Sequence, residues 1–439
     1  MSNFVKIKNK INSFNKSLSI DGDKSLSIRW ALLSSQSLKK CRSSNLLLSE
    51  DVHSSLNCLQ KLGVKIKISK KFCEIIGLGL NGFRYKNNTI LDAGNSGTLG
   101  RLILGLLVHS KKKVKLKGDK SLSKRDFQRV ASPLSKFGAS FRLTNNCNLP
   151  LTVKGSEKLK PIRFFENKGS AQCKSSIIFG GMKTNGKTVI KAKKSRDHTE
   201  LLFKHLKLPI KIKKKKNLEI IEISKVNKIK PLNYKIPSDI SSAAFFIALT
   251  VLSGGSKIII KNINVNPTRI GIIKILKKMG IKISFLNKKI YKGEPIADIL
   301  VLSPRIIKSL NCPSEFNSGA IDEFLVIFLI AAKAKGVSHF KKLEELNKKE
   351  SPRLIWGSKL LKMMGIKAIV TKDSIKIFGN PQLKIKKKIV ISKYLKDHRV
   401  FMTSVIAALT FGGNWTIHDK DSIKTSFPKF LKLIKKQKK

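Results

Sequence analysis

A chain of 439 residues, 41% hydrophobic with 28 Gly and 13 Pro, is too long for one ordinary core and too apolar for a disordered or collagen-like polymer, so two or three domains are expected. Its formal charge of +63 comes from 90 basic against 27 acidic residues, with 77 Lys and only 13 Arg. The lysines are spread along the whole chain and alternate with Ile and Val, which reads as solvated strand faces and biased composition rather than as a nucleic-acid-binding stripe. The longest apolar run, Phe324 to Ala332, is far short of the ~20 residues of a membrane span. The basic N-terminus has no apolar signal core, and six scattered cysteines with no CxxC pair form neither a disulfide framework nor a zinc site; a cytoplasmic location is expected.

In chain order, Gly22-Asp23-Lys24-Ser25-Leu26-Ser27-Ile28-Arg29 runs into the apolar Trp30 to Leu33. Ser25 or Ser27 is expected to cap a helix there, setting Lys24, Ser25 and Arg29 at a positive helix end that favours an anion. Gly77, Gly79 and Gly82 spell GxGxxG, but Phe83 to Asn88 follows as loop or strand, so no dinucleotide site is expected. Asp92 to Arg101 opens a helix reaching about Val108, with Gly94, Ser96 and Gly97 at an anion-sized turn. After Gly118-Asp119-Lys120-Ser121, Arg125 and Arg129 are four apart, as on one helix face. Ser170-Ala171-Gln172 and Ser195 to Glu200 open two more helices, and Lys230 to Pro237 reads as a crossover. Further on, Asp322 and Glu323 precede the very apolar Phe324 segment. Ser351 and Pro352 suit the N-cap and N1 positions of a helix carrying Arg353, and Asp397-His398-Arg399 precedes another.

Each motif alone is a capped helix. The repetition of one device, a Lys/Arg/Ser-bearing loop feeding a helix N-terminus, points to a trap for small phosphate- or carboxylate-bearing molecules. Eight of the thirteen arginines fall in these motifs or, for Arg269, in Asn266 to Arg269, as expected where a bidentate guanidinium is wanted. A longer period underlies the motifs. A helix end, a Gly stop and an alternating strand recur around Gly63, Gly138, Gly280 and Gly365. A degenerate copy over Leu206 to Ile212 has Leu-Pro in place of the Gly, and a sixth copy is cut short near Leu431 to Ile434. Six similar units, three before about residue 237 and three after, predict two pseudo-equivalent α+β domains.

The motifs, in this order from about Ser17 to Phe430, resemble the enolpyruvyl transferases, and among them the shikimate 3-phosphate branch in its class II-like form. The resemblance rests on Gly22 to Ser25, Asn95 to Thr98, Ser170 to Gln172, Arg196 to Glu200, Asp239 to Phe246, Asn266 to Arg269, Lys349-Glu350 and Asp397 to Arg399. It implies six βαβαββ units in two inside-out α/β barrels: a discontinuous domain of residues 1–22 plus 237–439, another of 23–236, and an active site in the cleft between them. The implied reaction moves the enolpyruvyl group of phosphoenolpyruvate to the 5-hydroxyl of shikimate 3-phosphate. By resemblance, Lys24, Ser25, Arg29, Ser170, Ala171, Gln172, Asp322 and Lys349 hold shikimate 3-phosphate. Lys24, Gly97, Arg125, Gln172, Arg353 and Arg399 hold phosphoenolpyruvate. Asp322 is the implied base and Glu350 the implied acid, with Lys24 the third catalytic group. No metal or organic cofactor, no nucleic-acid or membrane partner, and a monomer are implied.

Asp21, Ile28, Ser238, Asn347 and Pro352 depart from the family pattern, and none removes a ligand. Pro is tolerated in a first helical turn, so Arg353 is expected to keep its aim. Gly97 leaves room for glyphosate beside phosphoenolpyruvate, whereas the class II pattern argues for insensitivity. Two other readings compete. A sister transferase acting on UDP-N-acetylglucosamine would use a loop Cys as its acid, but Cys147 lies in no matching loop. A nucleic-acid binder would want stacking aromatics, which are only 7% here.

Overall fold

The computed structural model describes residues 3–69, 71–216 and 218–438. They divide into two compact units, each with its own apolar core. One comprises residues 22–237 with 290–294; the other comprises the chain up to residue 21, residues 238–289 and the chain from residue 295.

The first unit holds three four-stranded sheets. One is ordered Tyr234–Lys235, Lys40–Ser44, Phe72–Ile76, Lys65–Ile68; the next Thr89–Asp92, Val114–Lys117, Asn148–Lys154, Ser140–Thr144; the third Arg163–Glu166, Thr188–Lys193, Leu218–Ile223, Ile210–Lys214. Every sheet starts with one parallel pair and continues antiparallel. That order is the signature of a βαβαββ path: in the second and third sheets a helical crossover makes the parallel pair and a hairpin closes the sheet, whereas in the first the parallel outer strand, Tyr234–Lys235, is supplied from the far end of the unit. We number the helices of eight or more residues. Here they are α1 (Lys24–Ser34), α2 (Glu50–Lys61), α3 (Gly97–Leu107), α4 (Gln128–Ser135), α5 (Ala171–Gly181) and α6 (His198–His205).

The second unit repeats the plan with α7 (Ile240–Leu252), α8 (Gly271–Lys278), α9 (Phe324–Ala331), α10 (Arg353–Met363), α11 (His398–Phe411) and α12 (Phe430–Lys438). Its sheets have four, three and three strands. The sixth copy lacks its own hairpin. Its strand Asn414–His418 takes an antiparallel partner from the other end of the sequence, Phe4–Ile7. The α+β class and the six units therefore stand, with a parallel pair added to the antiparallel strands expected.

Helix composition divides by position. All thirteen residues of α7 are buried, as are all eight of α9, because these segments are apolar all round and pack against each other and α11. α3 packs on α5 closely enough that a Cβ at Gly105 would lie 2.2 Å from the Ser176 carbonyl oxygen. By contrast α2 is amphipathic, with Glu50 and Asp51 in its first turn and Lys61 in its last, matching the macrodipole.

The recurrent Gly is a helix stop. Gly63 has φ +90°; its N–H donates to the Gln60 carbonyl at 2.9 Å and the Val64 N–H to Leu59 at 3.1 Å, the paired bonds of a Schellman turn. Gly280 and Gly365 do the same. In the degenerate copy Lys207 itself takes the left-handed conformation, φ +55°, and the Leu208 N–H reaches the Phe203 carbonyl at 2.9 Å. The stop is thus kept one residue before the Leu-Pro pair, with a side chain accepting the strain.

Several expected helix starts move. Asp23, not Ser25 or Ser27, caps α1, accepting the Leu26 N–H at 2.8 Å. Pro352 takes the cap position of α10, and the Ser351 hydroxyl instead donates to Asp397. Arg125 and Arg129 do not share a helix: a one-turn helix, Lys120–Ser123, ends before Arg125, and Arg129 lies in α4. After Gly77 no helix opens. A Cβ there would meet the carbonyls of Ser34, Ser35 and Ser37, so this glycine serves close packing.

Candidate functional site

In the first unit, the N-terminal ends of α1, α3 and α5 carry the expected residues. The Asp23 cap sets Lys24 and Ser25 in the first turn of α1. Lys24 Nζ pairs with Asp51 Oδ2 at 2.7 Å, and Ser25 is half-buried. One turn on, Arg29 is buried and fixed on three sides. Its Nε donates to Thr199 Oγ1 at 2.8 Å, Nη1 to the Ser25 carbonyl at 3.1 Å and Nη2 to Ser175 Oγ at 3.2 Å. Thr199 donates onward to Ser175 at 2.7 Å.

Ser96 caps α3, so Gly97 is its first residue. A Cβ at Gly97 would lie 3.1 Å from Arg101 Nη1 and 3.2 Å from Arg125 Nη1, which puts the bare backbone against two guanidinium groups. Ser170 caps α5 through the Cys173 N–H at 3.2 Å, presenting Ala171 and Gln172 in the first turn. The carbonyl oxygen of Gln172 accepts Arg101 Nη1 at 2.6 Å while its amide donates to Thr98 Oγ1 at 3.1 Å. Burial and then the charges of Arg125 and Arg129 push the Arg101 guanidinium down to about 9. A buried cation crowded by two more is the electrostatic setting an anion relieves.

Close by lies a buried triad: Lys174 Nζ is 2.6 Å from Glu200 Oε1 and 3.2 Å from Glu219 Oε2. Burial opposes the Lys174 charge, but the two carboxylates outweigh it and raise its pKa.

In the second unit, Asp322 and Glu323 precede α9, Lys349 and Glu350 precede α10, and Asp397 caps α11 by accepting the Arg399 N–H at 2.9 Å. Arg353 ties them together. Its Nε and Nη2 grip Asp397 Oδ2 and Oδ1 at 2.8 and 3.2 Å, Nη2 also meets Glu350 Oε2, and Nη1 lies 3.5 Å from Asp322 Oδ1. Burial would lower the pKa of Arg353, but Asp397 and Glu350 overcome that and raise it. Burial likewise opposes the Asp397 charge, and Arg353 reverses it, holding the carboxyl below its usual range. Lys349 Nζ reaches Asp322 Oδ1 at 3.2 Å. Arg399 Nη1 is 3.9 Å from Glu323 Oε1, and Glu323 also accepts from Ser241, whose hydroxyl receives Arg269 at 3.0 Å.

The expected residues thus fall into two sets. Lys24, Ser25, Arg29, Gly97, Arg125, Ser170, Ala171 and Gln172 belong to the first unit. Asp322, Lys349, Glu350, Arg353 and Arg399 belong to the second. Sequence reading did not assign Arg101, Ser175, Thr199, Glu323 or Asp397 to the site, since their part is to hold the expected residues. The signal for Arg101 was present: a scarce Arg four residues after Gly97. Asn347, where the family pattern has Arg, accepts the Leu354 N–H at 3.2 Å and so steadies the start of α10.

Comparison with known proteins bears on the same residues. The family model described as EPSP synthase (3-phosphoshikimate 1-carboxyvinyltransferase) matches residues 8–434. A 3-phosphoshikimate 1-carboxyvinyltransferase of Ruthia magnifica subsp. Calyptogena magnifica is 41% identical over 99% of this chain and 97% of its own length. One from Caldicellulosiruptor bescii is 38% identical over 97% of each. Among solved structures, an EPSP synthase from Acinetobacter baumannii superposes with a TM-score of 0.86 at 33% identity, covering 98% of this chain and 97% of that one. The enolpyruvyl transferase NikO of Streptomyces tendae shares the fold at a TM-score of 0.77 and 13% identity, with 99% and 97% coverage. With a match spanning all six βαβαββ units and both sets of site residues, the chain belongs to the EPSP synthase (3-phosphoshikimate 1-carboxyvinyltransferase) family.

Proposed function

We propose that both residue sets act on one pair of substrates in the reaction of this family. The chain transfers the enolpyruvyl group of phosphoenolpyruvate to the 5-hydroxyl of shikimate 3-phosphate, giving 5-enolpyruvylshikimate 3-phosphate and phosphate, a step of aromatic amino-acid biosynthesis. Lys24, Ser25, Arg29, Ser170, Ala171, Gln172, Asp322 and Lys349 hold shikimate 3-phosphate; Lys24, Gly97, Arg125, Gln172, Arg353 and Arg399 hold phosphoenolpyruvate. Glu350 protonates C3 of phosphoenolpyruvate, making C2 cationic, and Asp322 takes the proton of the attacking 5-hydroxyl. Loss of a methyl proton and of phosphate from the tetrahedral adduct completes the transfer, with Lys24 stabilising the charge.

The observation that carries this reading is the contact set of Arg353. It brings the proposed acid Glu350 and the proposed base Asp322 to one guanidinium, whose fixed partner Asp397 sets its aim. Asp397 and Glu350 hold Nε and Nη2 while Nη1 lies 3.5 Å from Asp322, so the second N–H of Nη1 is the donor offered to an anionic substrate. Lys349 and Arg353 hold Asp322 as an oriented acceptor. Fixed cations on both substrates also remove orientational entropy from a two-substrate step. The protein acts as a cytoplasmic monomer in this reading.

The test is phosphate release measured with shikimate 3-phosphate and phosphoenolpyruvate together. Release that requires both substrates is expected. Folded protein that releases none, or that releases phosphate without shikimate 3-phosphate, overturns the reading.

A further inference from the structure

The second unit contains a cavity of about 640 Å³ that involves none of the residues proposed to meet substrate. Val251 and Leu252, at the C-terminal end of α7, form one wall. Arg305 and Ile306 come from the loop after the strand Glu294–Leu302, and Lys333 and Lys335 follow the C-terminus of α9. Asp322 precedes the other end of α9, so about 12 Å of helix separates it from the cavity.

The lining holds three cations and no Asp or Glu. Lys333 is half-buried; burial first, then the charges of Lys10 and Lys384, lower its pKa. Among the described residues, none of these five basic side chains has a carboxylate partner. Elsewhere the buried Lys174 takes two carboxylates and the half-buried Lys24 takes one. Helix C-termini account for some basic residues here, but not for an apolar recess opening beside them, with Ile306 left 65% exposed at its wall.

We propose that this cavity is a binding site for a small organic anion: an apolar ring system bearing a carboxylate, sulfonate or phosphate. The anionic group meets Lys333 and Arg305, and the ring lies against Val251, Leu252 and Ile306. The volume suits a molecule of that size, and a charge-assisted contact in a recess resists salt better than one on an open surface.

The probe is 8-anilinonaphthalene-1-sulfonate, an aromatic body with one fixed negative charge, titrated by fluorescence with shikimate 3-phosphate and phosphoenolpyruvate saturating. One saturable site is expected. Lys333→Gln with Arg305→Gln should weaken it at least tenfold, and Lys333→Arg should retain it. Ile306→Glu, a change at an exposed position that spares the core, should weaken it similarly. All these variants should keep wild-type kcat and KM. Titrations that superimpose for wild type, the double variant and Ile306→Glu overturn the proposal, as does complete displacement of the probe by the two substrates. Should the double variant fail to fold, the Ile306→Glu titration decides alone.

Discussion

Asp397→Asn isolates how far one buried carboxylate organises the second unit. Asp397 is fully buried and accepts four hydrogen bonds: from Arg353 Nε and Nη2, Ser351 Oγ and the Arg399 N–H. Asparagine keeps the shape and the Oδ1 acceptor, so the cap on α11 survives. It loses the charge and sets an N–H against the donors Arg353 Nε and Ser351. Removing one partner of a buried ion pair costs about 3–5 kcal/mol, and Glu350, still on Nη2, places this case near the lower end, about 3 kcal/mol. For a unit of this size that is a fall in Tm of roughly 6–12 °C. Arg353 also loses its aim, so KM for phosphoenolpyruvate should rise more than KM for shikimate 3-phosphate.

The pH dependence has a definite sign. The folded-state pKa of Asp397 is depressed, so its stabilisation is complete above the unfolded carboxyl pKa, about 4, and is lost as pH falls through the lower folded value. The stability gap between wild type and Asp397→Asn should be constant from about pH 5 upward and close below about pH 4. Thermal and urea unfolding across pH, together with steady-state kinetics, measure both effects. A Tm within about 2 °C of wild type with an unchanged KM for phosphoenolpyruvate would refute the argument.

Asp322→Asn and Glu350→Gln should each reduce kcat by roughly 10²–10⁴-fold with the fold retained, checked by turnover alongside circular dichroism; a near wild-type rate in either removes its proposed role. Arg125→Ala should raise KM for phosphoenolpyruvate with a smaller effect on shikimate 3-phosphate, since its Nη1 lies beside the bare backbone of Gly97; equal shifts in both constants would count against it. Lys174→Met should destabilise the first unit by about 3–5 kcal/mol, because Glu200 and Glu219 stay buried without their cation. Calorimetry reads that loss, and a smaller deficit at low pH, where Glu200, whose pKa burial already raises, protonates, is expected with it.

Short-range features were legible in the sequence because their causes are local. A Gly between an amphipathic helix and an alternating strand predicts a left-handed helix stop, and Gly63, Gly138, Gly280 and Gly365 all have positive φ. Adding the degenerate and the truncated copy to those four stops yields six units, and the order of polar helix starts gives the family. At Lys207 the same stop was not legible, because a side chain with no special preference for that conformation is held there by the turn's own hydrogen bonds. Competition among nearby groups also blurs caps: Asp23, Ser25 and Ser27 are all good caps, and backbone geometry selects the first.

What only the tertiary structure decided is which distant residue completes each functional one. Arg29 is fixed by Thr199 and Ser175, and Arg353 by Asp397, partners 170, 146 and 44 positions away. No periodicity encodes such pairs, because a buried guanidinium donates to whichever acceptor sheet order and helix packing bring within about 3 Å. Composition set the charge and motif order set the chemistry. The direction in which each cation points was settled by burial, where an unpaired charge is too costly to leave to chance.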